Sequence, residues 1–359
     1  MSYDFSKDAE RPEEVQYNFS ELPYEIQFNY LLYLPVTDIA NYCKVSTSAT
    51  NICIDDSFWK SKVDHDFPKI SQYKPENITD QQQYLDLLRI TDPNEAAKLG
   101  RLDILLYLES QNKLPDIVGM NDATFYGHLD VLKWLKTKGI YDIGYIVTYA
   151  SMGGHINILE WMGPEGIPYY RAGVDTAASG GQIKVLEWFE AQGILPDVFT
   201  ANLTAINGYI KVLEWLEQRD IVPNRHGVDR IITEGHIFTW NNPKGSLVPA
   251  DGSPFDVLEW LYSRGIYPDT NGIIIATKNN DIPMLDWLES HGIFSNQELH
   301  KEYINQSMLG IAASANRINL LEWLEQRGIR ATQDTASLAA EYDNNNVLEW
   351  LAVRGIFPK

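Results

Sequence analysis

Eight tryptophans, at positions 134, 161, 188, 215, 260, 287, 323 and 350, mark off most of this 359-residue chain like a ruler. Their successive separations are 27, 27, 27, 45, 27, 36 and 27, so the two exceptions exceed the common value by 18 and by 9. Tyr107 stands 27 residues before Trp134, inside the matching string LDILLYLES. The chain therefore carries nine copies of a 27-residue unit, two of them lengthened by insertions. A fixed period of this size marks a solenoid, in which each unit covers the apolar face of the next.

Every unit has the same grammar. Leu stands two residues before each aromatic, from Leu105 and Leu132 through to Leu348, with Val or Ile mostly just ahead of it and an apolar residue just after the aromatic. On a helix these positions cover an arc wider than about 100°, so the helix must be packed on more than one side. Five residues after the aromatic comes Gly139, Gly166, Gly193, Gly265, Gly292, Gly328 or Gly355, replaced by Asn112 and Asp220 in the other two units. Gly, and after it Asn, suits a left-handed helix terminus, so this position predicts a C-cap. Eleven residues before the aromatic, Ala recurs at 96, 123, 150, 177, 276, 312 and 339, which predicts a second, shorter helix lying close to its neighbours. A Gly or polar turn joins the two helices, as at Gly127-His128, Gly154-His155 and Gly235-His236. The unit reads helix, turn, helix, Gly stop, and the fold class is all-α.

The tract A-x-x-x-G-H-[LI]-x-[VI]-L-x-W-L-x-x-x-G-I, present at Ala123–Ile140 and nearly so at Ala150–Ile167, resembles the ankyrin repeat. The unit departs from that family in its period of 27 and in lacking the family's opening T-P-L-H tract. Trp-rich repeats reading L-E-W-L-x-x-x-G-I look like those of large DNA viruses and their amoebal hosts. The resemblance covers roughly residues 92–359 and implies an α-solenoid of nine ankyrin-like repeats.

The insertions differ in kind. Phe238–Phe255, rich in Pro, Gly and Ser, is spliced into the turn of one unit and reads as a loop. It carries Phe238 and Trp240 outside the repeat grammar, either folded back on the array or offered to a target. The nine extra residues before Trp323 are helical in character. Ser295 and Glu298 form a capping-box pattern there, with a helix expected to about Ala315.

Residues 1–17 read as a flexible N-terminus, 18–67 as a small helical bundle and 68–91 as a linker with one helix, Asp80–Arg89, capped by Thr79. Within the bundle, Leu22-Pro23-x-Glu25-Ile26, Leu31-x-Tyr33-Leu34-Pro35-x-x-Asp38-Ile39, Val45-Ser46 and Ser57-Phe58-Trp59-Lys60 resemble an F-box in order and spacing. That resemblance implies docking on the Skp adaptor of Skp–cullin–F-box ubiquitin ligases. Carried over by position, Leu22, Pro23, Ile26, Leu34, Pro35 and Val45 would make the hydrophobic contact.

Twenty-nine Lys and Arg against 49 Asp and Glu give a formal charge of −20. Binding driven by counterion release needs a basic face, so this balance argues against nucleic acid as a partner and equally against an anionic membrane. The two cysteines, Cys43 and Cys53, provide no disulfide framework and no Cys-rich zinc site, and with the acidic N-terminus they point to a reducing, cytoplasmic setting (host cytoplasm for a viral protein). Phosphate-loop, nucleophile-elbow, metalloprotease and kinase signatures are all missing. His128, His155 and His236 recur one per unit, too far apart along a stack to share a metal, and read as turn-stabilising residues. The Trp ladder reads as core and not as a base-stacking platform. Glu160, Glu187, Glu214, Glu259, Glu322 and Glu349 each precede a Trp and predict an acidic ridge, either a solvated face or a guide for a basic partner.

The expectation is a non-enzymatic chain without catalytic residues, metal or cofactor. As the substrate-recognition adaptor of a Skp–cullin–F-box ligase, it would hold a target protein on its repeats, tentatively through Phe238 and Trp240. The alternative is a plain ankyrin scaffold that sequesters a protein partner.

Overall fold

A computed structural model describes residues 19–234, 250–294 and 301–359. Residues 1–17, Phe238, Trp240, the expected turn at Gly235-His236 and the expected capping box at Ser295 and Glu298 lie outside the described residues. Among those described, every regular element is helical, with no strand. The chain divides into two compact units, Met1–Ala123 with His128–Tyr141, and Thr124–Gly127 with Asp142–Lys359.

The first unit opens with four helices, Tyr24–Leu32, Val36–Val45, Thr47–Cys53 and Asp56–Asp66. Leu31, Ile39, Ala49, Ile52, Phe58 and Val63 form their buried centre. Pro23 and Pro35 are the N-caps of the first two helices, so each Leu-Pro pair marks a helix start. The first helix therefore begins after Pro23. Lys62 is buried, and its ammonium donates to the Leu32 carbonyl at 2.6 Å and pairs with Asp66 at 2.8 Å. It thereby satisfies a carbonyl at the C-terminal end of the first helix. Cys43 and Cys53 are joined as a disulfide, their Cα atoms 6.2 Å apart. This corrects the expectation that the two cysteines provide no disulfide. Ten residues separate them, yet the turn at Ser46 folds their two helices together and brings the side chains within reach.

Residues 68–91 are more than a linker. The helix Asp80–Arg89 forms as expected, its cap Thr79 accepting the Gln82 amide. It buries Tyr84 and Leu87, and Asp86 pairs with the buried Arg101 at the head of the helix Leu102–Ser110. Arg101 also reaches Asp103 at 2.8 Å, and Gln83 donates to the same carboxylate at 3.0 Å. A buried charge cluster of this kind is tolerated because each ion has several partners.

The second unit is an α-solenoid. Its first helices run Ile143–Gly153, Tyr170–Ser179, Val198–Ile206, Arg225–Glu234, Thr270–Asn279, Lys301–Ser314 and Gln333–Glu341, each touching the next first helix. Ala150, Ala177, Ala276, Ala312 and Ala339 are fully buried there, which is why the position keeps a methyl group. The second helices end in the left-handed residues foreseen: Gly193, Gly265, Gly292, Gly328 and Gly355 all have φ between 70° and 77°, and Asp220 has φ 58°. Gly166 is the exception. The second helix of the Trp161 repeat stops at Met162, and a 3-10 segment, Gly163–Tyr169, follows. Pro164 has no amide hydrogen with which to continue the α-helix. The stretched Trp323 repeat has a first helix of 14 residues, ending at Ser314.

Candidate ligand-binding face

The faces of the array that join repeats must be separated from those left free. In four repeats the residue four after the Trp is an arginine, Arg219, Arg264, Arg327 or Arg354, whereas the Trp161, Trp188 and Trp287 repeats carry Glu165, Gln192 and His291 there. Each guanidinium lies over the Trp of its own repeat, 3.5–3.9 Å from the ring centroid. Each also reaches back to a Glu of the preceding repeat: Arg219 to Glu190 at 2.8 Å, Arg264 to Glu217 at 2.6 Å, Arg327 to Glu289 at 2.6 Å and Arg354 to Glu325 at 2.9 Å. These hydrogen bonds hold the Glu190, Glu217 and Glu325 carboxyls below their ordinary range. Trp287 and Trp323 add indole hydrogen bonds to Glu259 and Asp286, each at 2.7 Å. Trp215, Trp260, Trp323 and Trp350 are thus packed under arginines, and Trp215, Trp260, Trp287 and Trp323 are buried. Sequence inspection missed the arginines, although the same ruler locates them.

The turns join repeats as well. His155 donates to the Phe125 carbonyl at 2.8 Å, and Gln182, one repeat on, to the Met152 carbonyl at 3.0 Å. Asn344 does the same to Ala313 at 2.7 Å. Within the first unit, His128 reaches the Lys98 carbonyl at 2.9 Å. The turn histidines therefore stabilise the neighbouring repeat's first helix by occupying its free C-terminal carbonyls. The end of the stretched turn folds back similarly: Asp251 accepts the Ile210 amide at 2.7 Å, and Gly252 donates to Gly208 at 3.0 Å.

What is left free is one face of the first helices. Sixteen residues before the Trp, or 34 in the Trp260 repeat with its 18-residue insertion, stand Tyr145, Ala172, Phe199, His226, Asn271 and Asp334, all exposed, with Ser307 half-buried in the stretched Trp323 repeat. Tyr145 is 50% and Phe199 56% exposed, large apolar groups that a monomer gains nothing by presenting to water. One turn further along lie Asp175, hydrogen-bonded by Thr200 at 2.6 Å, and Asp229, whose Oδ1 is buried without a partner. Burial pushes both carboxyls up. Towards the C-terminal end the face hollows into a groove of about 550 Å³ lined by Ile274, Lys278, Tyr303, Gly310, Leu338 and Tyr342.

The residues singled out by sequence for adaptor docking are spread over the four-helix bundle. Pro23 and Ile26 are exposed on the first helix, Leu34 and Pro35 form the turn after it, and Val45 is 83% exposed at the end of the second helix. Leu22 is half-buried. The carboxylates Glu160, Glu187, Glu214, Glu259, Glu322 and Glu349 do form an exposed ridge. Among the described residues, no group of His, Cys, Asp and Glu converges as a metal site, and no helix is long and apolar enough to cross a membrane.

No family model matches the chain, and no curated protein matches it. Among solved structures it is similar to the pentatricopeptide repeat protein PPR10 from maize, at 12% identity and a TM-score of 0.29, over 95% of this chain and 63% of that one. It is similar also to PPR10 in complex with an 18-nt psaJ RNA element, at 12% identity and a TM-score of 0.25, over 94% and 57%. The chain thus spans about three fifths of the length of the structures it matches.

These neighbours correct the functional expectations. They are pentatricopeptide repeat proteins, two of them holding RNA, and not F-box or ankyrin proteins. The Skp–cullin–F-box adaptor role, its Skp and cullin partners, the protein-sequestering ankyrin scaffold and the viral assignment are withdrawn, as is the exclusion of nucleic acid. Physical reasons for the misreadings are visible. The two Leu-Pro blocks satisfy helix starts, a local demand that needs no docking partner. The charge of −20 is a whole-chain sum and does not describe any single face of the array.

Proposed function

We propose that this chain is a helical-repeat binding protein, not an enzyme, and that it holds an extended ligand along the free face of its first helices. One observation carries the reading: that face varies where an equally exposed face does not. The residue before the Trp is exposed and acidic in every repeat of the second unit, from Glu160 to Glu349, with Asp286 in the Trp287 repeat. The first-helix residue aligned sixteen before it, with the insertion of the Trp260 repeat left out, is solvent-accessible too, yet runs Tyr, Ala, Phe, His, Asn, Ser, Asp. A position with one structural task repeats its chemistry, as Glu259 and Asp286 do in accepting the next repeat's indole N–H, whereas positions that read a ligand differ from unit to unit. The register supports binding over catalysis, because it sets side chains in a row at roughly 10 Å intervals instead of converging them. The Gly-His turns at 127–128 and 154–155 support a shortened, ankyrin-like unit in its finer detail.

The test is retention of polymers by the intact chain, with a pool of single-stranded RNA and a pool of peptides offered separately. The Tyr145→Ala/Phe199→Ala variant, which removes only exposed groups, should keep its thermal midpoint and lose at least about tenfold in affinity for the retained pool. Retention of neither pool, or equal retention by the variant, overturns the proposal.

A further inference from the structure

Thirteen residues before the aromatic, several first helices carry a side chain that fastens them to the next repeat. Asn94 and Asn202 accept backbone amides there, from Asp116 at 3.0 Å and Asn224 at 2.9 Å, and Asp175 accepts the Thr200 hydroxyl at 2.6 Å. In the Trp287 and Trp323 repeats the same position is Ile274 and Gly310, whose side chains have nothing with which to accept. The groove of about 550 Å³ opens at this break, with both residues in its lining.

Gly310 answers no local demand. It lies inside the helix Lys301–Ser314, where glycine is a poor helix former, and its φ is not left-handed. A Cβ there would lean only on Leu338 Cδ1, at 3.3 Å, in the groove itself. At Gly173, by contrast, a Cβ would meet Phe189 Cζ at 2.6 Å. A glycine that weakens a helix without a backbone or packing reason marks a surface kept clear for close approach.

The groove offers rings and one cation. Tyr303, 67% exposed, stands in the first turn of its helix, and Tyr342, 58% exposed, caps the end of the next first helix. Tyr303 precedes its Trp by twenty residues and Tyr342 by eight, which separates them by about 18 Å along the helix direction. The exposed Lys278 ammonium pairs with no carboxylate among the described residues, and no lining residue is acidic. Glu302 and Glu341, the exposed carboxylates nearest in sequence, lie outside the lining.

We infer that this groove seats a segment of single-stranded RNA, with bases stacked on Tyr303 and Tyr342 and a backbone phosphate on Lys278. Exposed phenol rings stack on bases of any sequence. An unpaired ammonium in a lining free of carboxylates complements an anion, and two rings so far apart call for an extended one. Gln306 and Ser307, in the same lining, offer amide and hydroxyl groups to base edges and 2′-hydroxyls, which sets RNA above DNA. The inference rests on the first helices being the ligand face and names the ligand at one end of it.

The intact chain is titrated into a fluorescent, mixed-sequence single-stranded RNA and followed by anisotropy. Tyr303→Ala/Tyr342→Ala should weaken binding at least about fivefold, the low end of lost base stacking. Gly310→Leu should weaken it as much yet hold or raise the thermal midpoint, since leucine is the better helix former. Lys278→Gln should flatten the dependence of log affinity on log salt by about 0.7, one phosphate of a single strand. Should Gly310→Leu fail to fold, the tyrosine and lysine variants carry the test. Binding that ignores these variants, or that favours DNA of the same sequence, overturns the inference, and leaves the first-helix face standing where Tyr145→Ala/Phe199→Ala has lost affinity. Peptides retained in place of RNA overturn it too, whereas retention of neither overturns both readings.

Discussion

Arg219 lies over the indole of Trp215, 3.6 Å from the ring centroid, while its Nη2 reaches Glu190 of the preceding repeat at 2.8 Å. One side chain thus covers its own repeat's ring and fastens the repeat before it. The pattern recurs at Arg264, Arg327 and Arg354. In a solenoid, stability is a sum of unit terms and nearest-neighbour terms, and these joints belong to the second kind.

The joint should be sensitive to acid. Arg219 holds the Glu190 carboxyl below its ordinary value of 4.5. A lowered carboxyl contributes stability above that value and loses it as pH falls through the lowered one. Thermal midpoints of the wild type should therefore exceed those of Glu190→Gln at neutral pH, and the gap should close in acid. High salt should shrink it as well, because the pair is near the surface. A gap independent of pH would show that Glu190 acts by packing alone.

Removing a turn side chain should expose a neighbour's helix end. His155→Ala leaves the Phe125 carbonyl without its side-chain donor and should cost about 1–2 kcal/mol in urea unfolding. His155→Gln should recover most of that, since Gln182 performs the same task one repeat later. Failure of the glutamine to rescue would mean that the imidazole ring matters as filling.

The alanine row should refuse larger groups. Ala150 and Ala177 are fully buried between first helices, and replacing either with Leu should cost about 1–3 kcal/mol by overpacking. Ala172→Leu, on the exposed face of the same helix as Ala177, should change stability by no more than about 0.5 kcal/mol. Equal effects at both positions would contradict the assignment of faces.

Asp229 should be a liability at neutral pH. Burial, and then the nearby Asp269, push its carboxyl up, and its Oδ1 has no partner. A raised carboxyl contributes stability below its ordinary value of 3.8 and loses it as pH rises through the raised value. Asp229→Asn should melt higher than the wild type at pH 7, with the difference shrinking towards pH 4. A lower midpoint for the variant at pH 7 would mean that the charge is used.

Much of this molecule was legible before any coordinates. The ruler placed the buried Ala row and the left-handed glycine stops, and the Thr79 cap placed the helix Asp80–Arg89, because each answers a demand within one turn or one repeat. The stop at Gly166 was misread because Pro164 interrupts the helix earlier. The Leu-Pro blocks were over-read, since capping a helix and docking a partner ask for the same residues.

Sequence by itself determined the period, the two-helix unit and which residues lie inside, since burial periodicity and terminal φ are local properties. Only tertiary structure decided what joins one repeat to the next: Arg219 with Glu190, His155 with the Phe125 carbonyl, His291 with Glu259. It also decided that Cys43 meets Cys53 and that Tyr145 and Phe199 share an unpacked face. These pairings depend on how successive units are rotated and spaced. That arrangement is settled by packing across repeats, and no single repeat encodes it.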